Sequence, residues 1–505
     1  MNREKLIVLL VFLAGFTVRF WYVTSDLRIP FDYDQYEDLI LTKRIVVDRD
    51  LPVIGRPIYG DPRLHHGVVF FYYNVIPFVL FDWNPVAVAL WISLFNTLTA
   101  AVVYYFSFAL FRDRRIALAS SIIVACSYEY VQFSSWISST TLTVFAVPIA
   151  FYGLWLYFQG RERGLWLSAL FLGLSIQAEL FFLYLIAVFG FLWLVLDRRL
   201  PRLRTILAAG AAFGAATATM VLTELKLGFA GVKTLMNFGA TFDDSEIPIF
   251  ERFELFLEDL AKAFALNVYP AEKSGGKLII VGVAAVLLYG WVKAGKGSRE
   301  RRALLFLMIY LLSPVTMLVF GYHRQPWFLI GALGAVALSG GYAISRLRWS
   351  ALIGVVLIMV IVGNVREIAD ERKSGTSFFR LEESAVLTSQ LEVVDWIYRE
   401  AGGEEFGINT ITYPMHHNAL WAYHFTWYGG KRYGYLPGFM GAEQVYPYDF
   451  LPRFEGGEKL FFLIMDKTVR IPEIHRENAM IWAKERGVLI GEKETDGFII
   501  QKFVE

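Results

Sequence analysis

Eleven apolar runs in the first 366 residues constrain the fold of this chain more than any other feature of its sequence. A run of about 17 to 25 apolar residues can cross a bilayer as a helix. We place these runs at 6–24, 86–111, 116–132, 139–158, 165–178, 180–196, 205–223, 277–292, 303–321, 326–345 and 350–366. Only 19% of the residues are charged, whereas soluble domains carry about 25%. The sequence therefore predicts an α-helical polytopic membrane protein, and it excludes a soluble enzyme, a disordered chain and a disulfide-stapled scaffold.

The loops between these runs alternate in charge. One set contains 18 Lys and Arg against 5 Asp and Glu, at 3–5, 112–115, 161–163, 197–204, 293–302 and 346–348. The other set is acidic, at 25–67, 224–276 and 367–505. Cytoplasmic loops of membrane proteins carry the excess of Lys and Arg. We therefore expect a cytoplasmic N-terminus and, after an odd number of crossings, an extracytoplasmic C-terminus.

This topology divides the chain into two predicted domains. Residues 1–366 form a multi-pass transmembrane domain with outer loops at 25–85 and 224–276, and residues 367–505 form an extracytoplasmic domain. In the second domain we expect a mixed α/β fold, with a helix near 384–401, strands near 404–413 and 459–465, a helix near 473–487 and a hairpin at 488–504. The 13-residue apolar run from Val68 to Leu80 is too short to cross, and we place it as an interfacial or re-entrant helix on the outer face.

The first outer loop places four acidic residues close to the end of the first helix: Asp32, Asp34, Glu37 and Asp38. The periodicity predicts an amphipathic helix at 35–47 that lies along the membrane. A carboxylate held at that level beside Arg or His can act as a general base. Asp34 with Glu37 three residues later also fits a capping box that would open this helix. A capping aspartate keeps a free carboxylate oxygen, so the two roles are compatible.

Several short motifs follow one another along residues 1–350. They are Asp34-Gln35, His65-His-Gly-Val-Val-Phe-Phe-Tyr-Tyr73, Asn84-Pro85 opening a long helix that ends in Leu-Phe-Arg-Asp-Arg-Arg115, and Tyr322-His-Arg-Gln-Pro326. In this order and topology the chain resembles the C-type (GT-C) membrane glycosyltransferases, specifically the protein-mannosyltransferase and aminoarabinose-transferase group. Two positions depart from the family pattern: Gln35 stands where many members have Glu, and Gly67 stands where a proline is frequent.

The resemblance implies an inverting transfer of a hexosyl or pentosyl group from a polyprenyl-phosphate donor. The acceptor would be a protein, a lipid or a glycan on the outer face of the membrane. Asp34 matches the family's catalytic aspartate, and we expect it to be the general base. Asp32 and Asp38 are expected to orient the acceptor, the sugar or a cation. Glu129 is the secondary candidate, because some members carry a second acid between the third and fourth helices.

The leaving phosphate needs positive charge or strong hydrogen-bond donors at membrane level. Six residues are candidates: Arg56, Arg63, His65, His66, His323 and Arg324. Arg324 can equally be an anchor that extends to the interface, and the two adjacent histidines can equally be a solvated pair. Neighbouring side chains rarely converge on one ion. The sequence therefore requires no cofactor and leaves the need for a divalent metal ion open.

Other ionisable residues are more ambiguous. Arg19, Glu129 and Glu179 lie near predicted outer helix ends, where an ionisable group is either functional or simply interfacial. Three histidines of the outer domain are predicted to be structural or to contact the acceptor: His416, His417 and His424.

The net charge of +1 gives no reason to expect a nucleic-acid partner. A transporter or lipid flippase, a lipid-linked oligosaccharide ligase and a non-catalytic glycolipid receptor are alternative functions.

Overall fold

A computed structural model describes residues 3–25, 28–58, 61–236, 247–270, 273–320, 327–374, 382–415, 418–441, 447–454 and 459–505. The first 236 residues form α1 (Arg3–Thr24), α2 (Tyr33–Lys43), α3 (Val69–Leu80), α4 (Pro85–Phe111), α5 (Arg114–Cys126), α6 (Tyr128–Ser135), α7 (Leu142–Phe158), α8 (Arg163–Ala178), α9 (Tyr184–Leu196), α10 (Leu203–Lys226) and α11 (Ala230–Met236). A short hairpin of β1 (Pro57–Ile58) and β2 (Asp61–His65) lies between α2 and α3.

Five more helices complete the bundle: α12 (Ile249–Asn267), α13 (Lys273–Lys293), α14 (Arg299–Leu311), α15 (Leu333–Ser345) and α16 (Ser350–Ser374). Aromatic side chains fill its middle, where the ring of Phe151 stacks on that of Tyr310 with centroids 3.6 Å apart. The last helix continues eight positions beyond residue 366, where the sequence placed the end of the transmembrane domain.

The predicted spans all coincide with helices, and seven helices in the described residues are long and apolar enough to cross a membrane. An eighth crossing is formed if α5 and α6, which meet at a bend of 48°, act as one span. The other three predicted spans correspond to helices of 17 residues or fewer, at Arg163–Ala178, Leu180–Leu196 and Ile330–Ser345. The multi-pass helical fold is therefore confirmed, while the count of eleven crossings stays a prediction.

The apolar run at 68–80 forms helix α3, which packs on α2 and α4. Its residues Ile76, Val79 and Leu80 are exposed. An exposed apolar face on so short a helix is what an interfacial position requires, and that position stays a prediction.

The C-terminal segment has the predicted mixed α/β fold. Its helices are α17 (Leu387–Ala401), α18 (Ala419–His424), α19 (Gly430–Tyr433) and α20 (Glu473–Lys484). Its strands are β3 (Phe406–Ile411), β4 (Gly438–Phe439), β5 (Leu460–Asp466), β6 (Val488–Glu494) and β7 (Phe498–Val504), in the sheet order β4-β3-β5-β7-β6. β3 pairs in parallel with β4 and β5, and the hairpin β6–β7 adds antiparallel to β5.

Helix α2 begins two residues earlier than the sequence predicted, and this corrects the capping assignment. Its N-cap is Asp32, whose carboxylate accepts a hydrogen bond of 2.8 Å from the backbone N–H of Tyr33. The Gln35 side chain completes the capping box by accepting from the backbone N–H of Asp32 at 2.9 Å. The prediction that Asp34 and Glu37 form the capping box is therefore wrong, because the equivalent pair two residues upstream is used instead. A π-helical turn at Arg44–Asp48 replaces the end of the predicted helix.

Candidate active site

Three carboxylates of α2 surround the guanidinium group of Arg56. Its Nη1 lies 2.5 Å from Oδ1 of Asp34 and 3.6 Å from Oε2 of Glu37, and its Nε lies 3.0 Å from Oδ1 of Asp38. The three acids share one face of the helix because positions three and four residues apart are neighbours on its surface. We call these four residues the acidic cluster.

The members of the acidic cluster differ in their access to solvent. The side chain of Asp34 is 53% exposed, whereas that of Asp38 is 1% exposed and that of Glu37 is 11% exposed. Arg56 donates a hydrogen bond to one oxygen of Asp34, Oδ1. No hydrogen bond to its other oxygen occurs among the described residues. Asp34 is therefore the carboxylate of the cluster that a substrate can reach.

Burial and charge act in opposite directions inside the acidic cluster. Burial raises the pKa of Asp38 well above its usual range, and the nearby Arg56 guanidinium opposes this shift. Burial alone would lower the pKa of Arg56, but the three carboxylates outweigh burial and raise that pKa. Arg56 therefore stays charged and provides a fixed cation against which the acids are oriented.

The loop after α2 places Arg56 through a close backbone approach. The backbone N–H of His66 donates to the carbonyl of Arg56 at 2.9 Å, next to the β1–β2 hairpin. At Gly55, a Cβ atom would lie 2.1 Å from the carbonyl oxygen of His66. A side chain at Gly55 would therefore force the two segments apart and move Arg56 away from α2.

The candidate phosphate-binding histidines lie on the same loop, which is fixed to the helix bundle. Nδ1 of His66 lies 3.6 Å from Oε1 of Glu179, and Oε2 of Glu179 accepts a hydrogen bond of 2.7 Å from Thr140. The backbone N–H of Gly67 donates to the carbonyl of Gln177 at 2.9 Å. A Cβ at Gly67 would lie 2.7 Å from the backbone oxygen of Gln177, so a side chain at this position would push the loop away from α8. His65 is half-buried and Arg63 is exposed on strand β2.

The C-terminal domain reaches the first loop and contacts the acidic cluster. Tyr448 donates a hydrogen bond of 3.1 Å to Oε1 of Glu37. Nη1 of Arg470 lies 3.6 Å from Oδ2 of Asp32. Gln390 donates at 2.7 Å to the carbonyl of Phe31, immediately before the N-cap of α2. Both domains therefore shape the candidate site.

Sequence reasoning missed these contacts because Tyr448 and Glu37 lie 411 positions apart. No local pattern marks Tyr448, Arg470 or Gln390 as partners of the loop. The three side chains sit in different parts of the C-terminal domain, and only the folded chain brings them to α2.

The structure places the secondary candidates inside the helix bundle. Glu129 is buried on α6 and accepts a hydrogen bond from the side chain of Asn267. No ion pair or hydrogen bond among the described residues joins it to the acidic cluster. The fully buried Arg19 donates to Oδ1 of Asn96 and to the carbonyl of Ala125. Arg19 and Glu129 are therefore both packed between helices with polar partners, and their position relative to the membrane interface stays a prediction.

His424 is a structural residue of the C-terminal domain. It is buried, and its Nε2 lies 2.7 Å from Oε1 of Gln390, the side chain that binds the loop. Burial lowers its pKa to about 3, so the imidazole is neutral at physiological pH.

The candidates His323, Arg324, His416 and His417 lie outside the described residues. Within the described ranges, no group of three or more His, Cys, Asp and Glu side chains is arranged to hold a metal ion.

Comparison with known proteins identifies the class to which this fold belongs. Residues 8–222 match the family described as dolichyl-phosphate-mannose-protein mannosyltransferase. This segment contains the acidic cluster, most of α1, all of α2 to α9 and most of α10. No curated protein sequence matches the chain significantly.

Two solved structures have the same fold over almost the whole chain. ArnT from Cupriavidus metallidurans bound to undecaprenyl phosphate matches with a TM-score of 0.62 and 11% identity, over 99% of this chain and 98% of that one. The apo form of the same protein matches with a TM-score of 0.58 and 11% identity over the same shares. The resemblance to the C-type membrane glycosyltransferases is thereby confirmed. This chain is a multi-pass membrane protein with the GT-C fold.

Proposed function

We propose that this protein transfers a sugar from a polyprenyl-phosphate donor to an acceptor on the outer face of the membrane, with inversion at the anomeric carbon. The observation that carries the proposal is the half-exposed Asp34, held by Arg56 through one oxygen at the mouth of a GT-C bundle. Support for the donor class comes from ArnT, whose solved structure contains undecaprenyl phosphate.

The reaction needs one base and a stabilised leaving group. The acceptor oxygen or nitrogen attacks the anomeric carbon, the bond from that carbon to the phosphate oxygen breaks, and the phosphate leaves with the bonding electrons. The proton of the acceptor passes to the unbound oxygen of Asp34. A positioned general base contributes about 10²- to 10⁴-fold to such a step. The phosphate needs little help from an acid, so its charge is the main feature that the protein must stabilise.

The cations of the loop divide into two proposed roles. Arg56 is already paired with three carboxylates, so we assign it the positioning of Asp34 in addition to the predicted contact with the donor phosphate. Arg63, His65 and His66 follow on the same loop and are proposed to bind the phosphate. His323 and Arg324 are proposed as further phosphate ligands on sequence grounds alone. Asp32, Asp38 and Glu129 keep their proposed supporting roles.

Lipid identification tests the donor class directly. Lipids extracted from the purified full-length protein are analysed by mass spectrometry, and a polyprenyl phosphate or its sugar conjugate is expected.

Incubation with a radiolabelled polyprenyl-phosphate sugar and membrane acceptors should then release polyprenyl phosphate and label the acceptor. Movement of the lipid across vesicles without release of the sugar would instead identify a flippase. The same assay with and without EDTA tests whether a divalent metal ion takes part in the reaction.

A further inference from the structure

A basic cavity lies at the opposite end of helix α4 from the acidic cluster. The first turn of α4 follows Trp83, whose ring lies 5.7 Å from the Lys43 ammonium at the end of α2. The helix has 27 residues, and at 1.5 Å per residue it is about 40 Å long. Arg112, immediately after its last residue, lines the cavity. The cavity and the acidic cluster are therefore separated by roughly the thickness of a membrane.

Arginine dominates the lining of this cavity, which has a volume of about 570 Å³. Five arginines line it: Arg112, Arg161, Arg199, Arg299 and Arg302. The remaining wall includes Trp155 and Gln159, together with Gly160 and Gly297. A Cβ at either glycine would meet no atom within 4 Å. The volume lies within the range of about 300–1,000 Å³ that small-molecule sites occupy.

The floor of the cavity is fixed by hydrogen bonds to helix ends. Arg299 donates to the carbonyls of Ala109 and Leu110 at the end of α4. Trp155 and Gln159 each donate to the same Ala109 carbonyl at 2.9 Å. Arg302 donates at 3.2 Å to the carbonyl of Leu196, the last residue of α9. These bonds hold Arg299 and Arg302 in fixed positions beside the cavity.

The positive charge of the cavity is poorly neutralised by the protein. Arg199 pairs with Asp197 at 2.5 Å. Across the described ranges, no ion pair joins Arg112, Arg161, Arg299 or Arg302 to a carboxylate. Like charges gathered in one cavity repel one another. A counter-ion in the cavity would relieve that repulsion.

Neighbouring acids on the same face are already used elsewhere. Glu162 lies 3.1 Å from Arg202, and Glu300 pairs with Arg346. Neither Arg202 nor Arg346 lines the cavity. The general excess of Lys and Arg in cytoplasmic loops accounts for the number of basic residues on this face. It does not explain why Glu162 and Glu300 pair outside the cavity while four arginines without an ion pair in the described structure line it.

We propose that this cavity binds a phosphate-bearing anion. The guanidinium group suits such a ligand because its planar fork matches the oxygens of a phosphate and stays charged at every physiological pH. The open space over the two glycines leaves room for the anion beside the arginines. The ligand is either the headgroup of an anionic phospholipid or a soluble phosphate compound that enters from the aqueous side. The site is independent of the acidic cluster and of the transfer proposed for it.

A charge-matched pair of variants tests this site in the full-length protein. Arg112→Gln with Arg161→Gln removes two lining cations that make no ion pair in the described structure. Arg204→Gln with Arg348→Gln removes two exposed cations outside the cavity, on loops of the same charged set. The soluble probe is inorganic pyrophosphate, measured by its effect on the melting temperature in detergent. The lipid probe is phosphatidylglycerol against phosphatidylcholine, measured by native mass spectrometry.

We expect the protein to bind one of the two probes, with at least about a tenfold loss of affinity in the cavity variant and little change in the control. Binding of pyrophosphate identifies a soluble ligand, and retention of phosphatidylglycerol alone identifies a headgroup site. Failure of the wild-type protein to bind either probe would overturn the proposal. An equal loss in the control variant would also overturn it, because binding would then come from the general charge of the face.

Discussion

Nη1 of Arg56 lies 2.5 Å from Oδ1 of Asp34, while Oδ2 of Asp34 receives no hydrogen bond from the described residues. One oxygen of the carboxylate is thus fixed and the other is available. An asparagine at this position can still accept a hydrogen bond from Arg56, but it cannot take a proton at neutral pH. The chemical role of Asp34 can therefore be separated from its structural role.

The first prediction concerns Asp34 as the base. Asp34→Asn should lower sugar transfer by about 10²-fold or more, the effect of losing a general base, with little change in melting temperature. The control is Asp50→Asn, which removes a carboxylate of the same loop that pairs with Arg44 outside the acidic cluster. Transfer rates are measured with a labelled donor. Activity of Asp34→Asn within a few-fold of wild type would exclude Asp34 as the base.

A second prediction separates the two roles proposed for Arg56. Lysine keeps the charge but lacks the fork that contacts three carboxylates. Arg56→Lys should therefore lower kcat by about 10- to 100-fold through misplacement of Asp34, while KM for the donor changes by less than about threefold. The opposite result, a raised KM with kcat preserved, would show that Arg56 acts mainly on the donor phosphate, as the sequence alone predicts.

Contact between the domains gives a third prediction. Tyr448→Phe removes the hydrogen bond to Glu37 and should lower transfer by about 10- to 100-fold, because a hydrogen bond to a charged group contributes about 1.5–3 kcal/mol. Tyr433→Phe is the matched control, since Tyr433 donates at 2.7 Å to Asp395 within the C-terminal domain. Equal activity of the two variants would mean that Tyr448 does not support the site.

The orientation of the chain in the membrane is a fourth prediction, based on the loop charges. Val469 is 90% exposed in the C-terminal domain, and Lys296 is exposed on a basic loop. In intact cells, a cysteine at Val469 should react with an impermeant thiol reagent, and one at Lys296 should not. The native Cys126 is buried and should give a low background. The reverse labelling pattern would place the acidic cluster in the cytoplasm.

A buried carboxyl at the end of β5 provides a fifth prediction. Burial raises the pKa of Asp466 from 3.8 to about 6, and a hydrogen bond from the Thr468 N–H opposes the shift. The folded state holds this proton more tightly than the unfolded state, so stability falls as the pH rises from about 4 through 6. The shift corresponds to about 2–3 kcal/mol.

Asparagine can accept the same hydrogen bond without titrating. Asp466→Asn should therefore melt at a higher temperature than wild type at pH 7.5, and the difference should shrink toward pH 4. Melting curves in detergent between pH 4 and 8 give this comparison. A difference that is constant over that range would mean that Asp466 has an ordinary pKa.

The helices and the α/β domain were predictable because their signals are local. Long apolar runs and the strand patterns around residues 460 and 500 each report on one element. The helix start at α2 was not predictable, since Asp32 with Gln35 and Asp34 with Glu37 satisfy the same capping pattern. The tertiary contacts of Asp32 with Arg470 and of Asp34 with Arg56 favour the first register.

The acidic cluster was predictable only in part. The acids and Arg56 could be selected from one loop, but their mutual distances depend on how that loop folds back at Gly55 and Gly67. The buried pairing of Glu129 with Asn267 joins segments 138 positions apart, and the partners of Arg19 are also distant along the chain. Such pairings follow from helix packing, which no short motif encodes.

The hydrogen bonds from Gln390 to Phe31 and from Tyr448 to Glu37 also have a consequence for biosynthesis. The acidic residues of α2 leave the ribosome before Tyr448 and Arg470 do. A nascent or prematurely terminated chain can insert its helices without completing the site. The loop therefore gains these contacts only after the C-terminal domain has been synthesised, rather than when the helices insert.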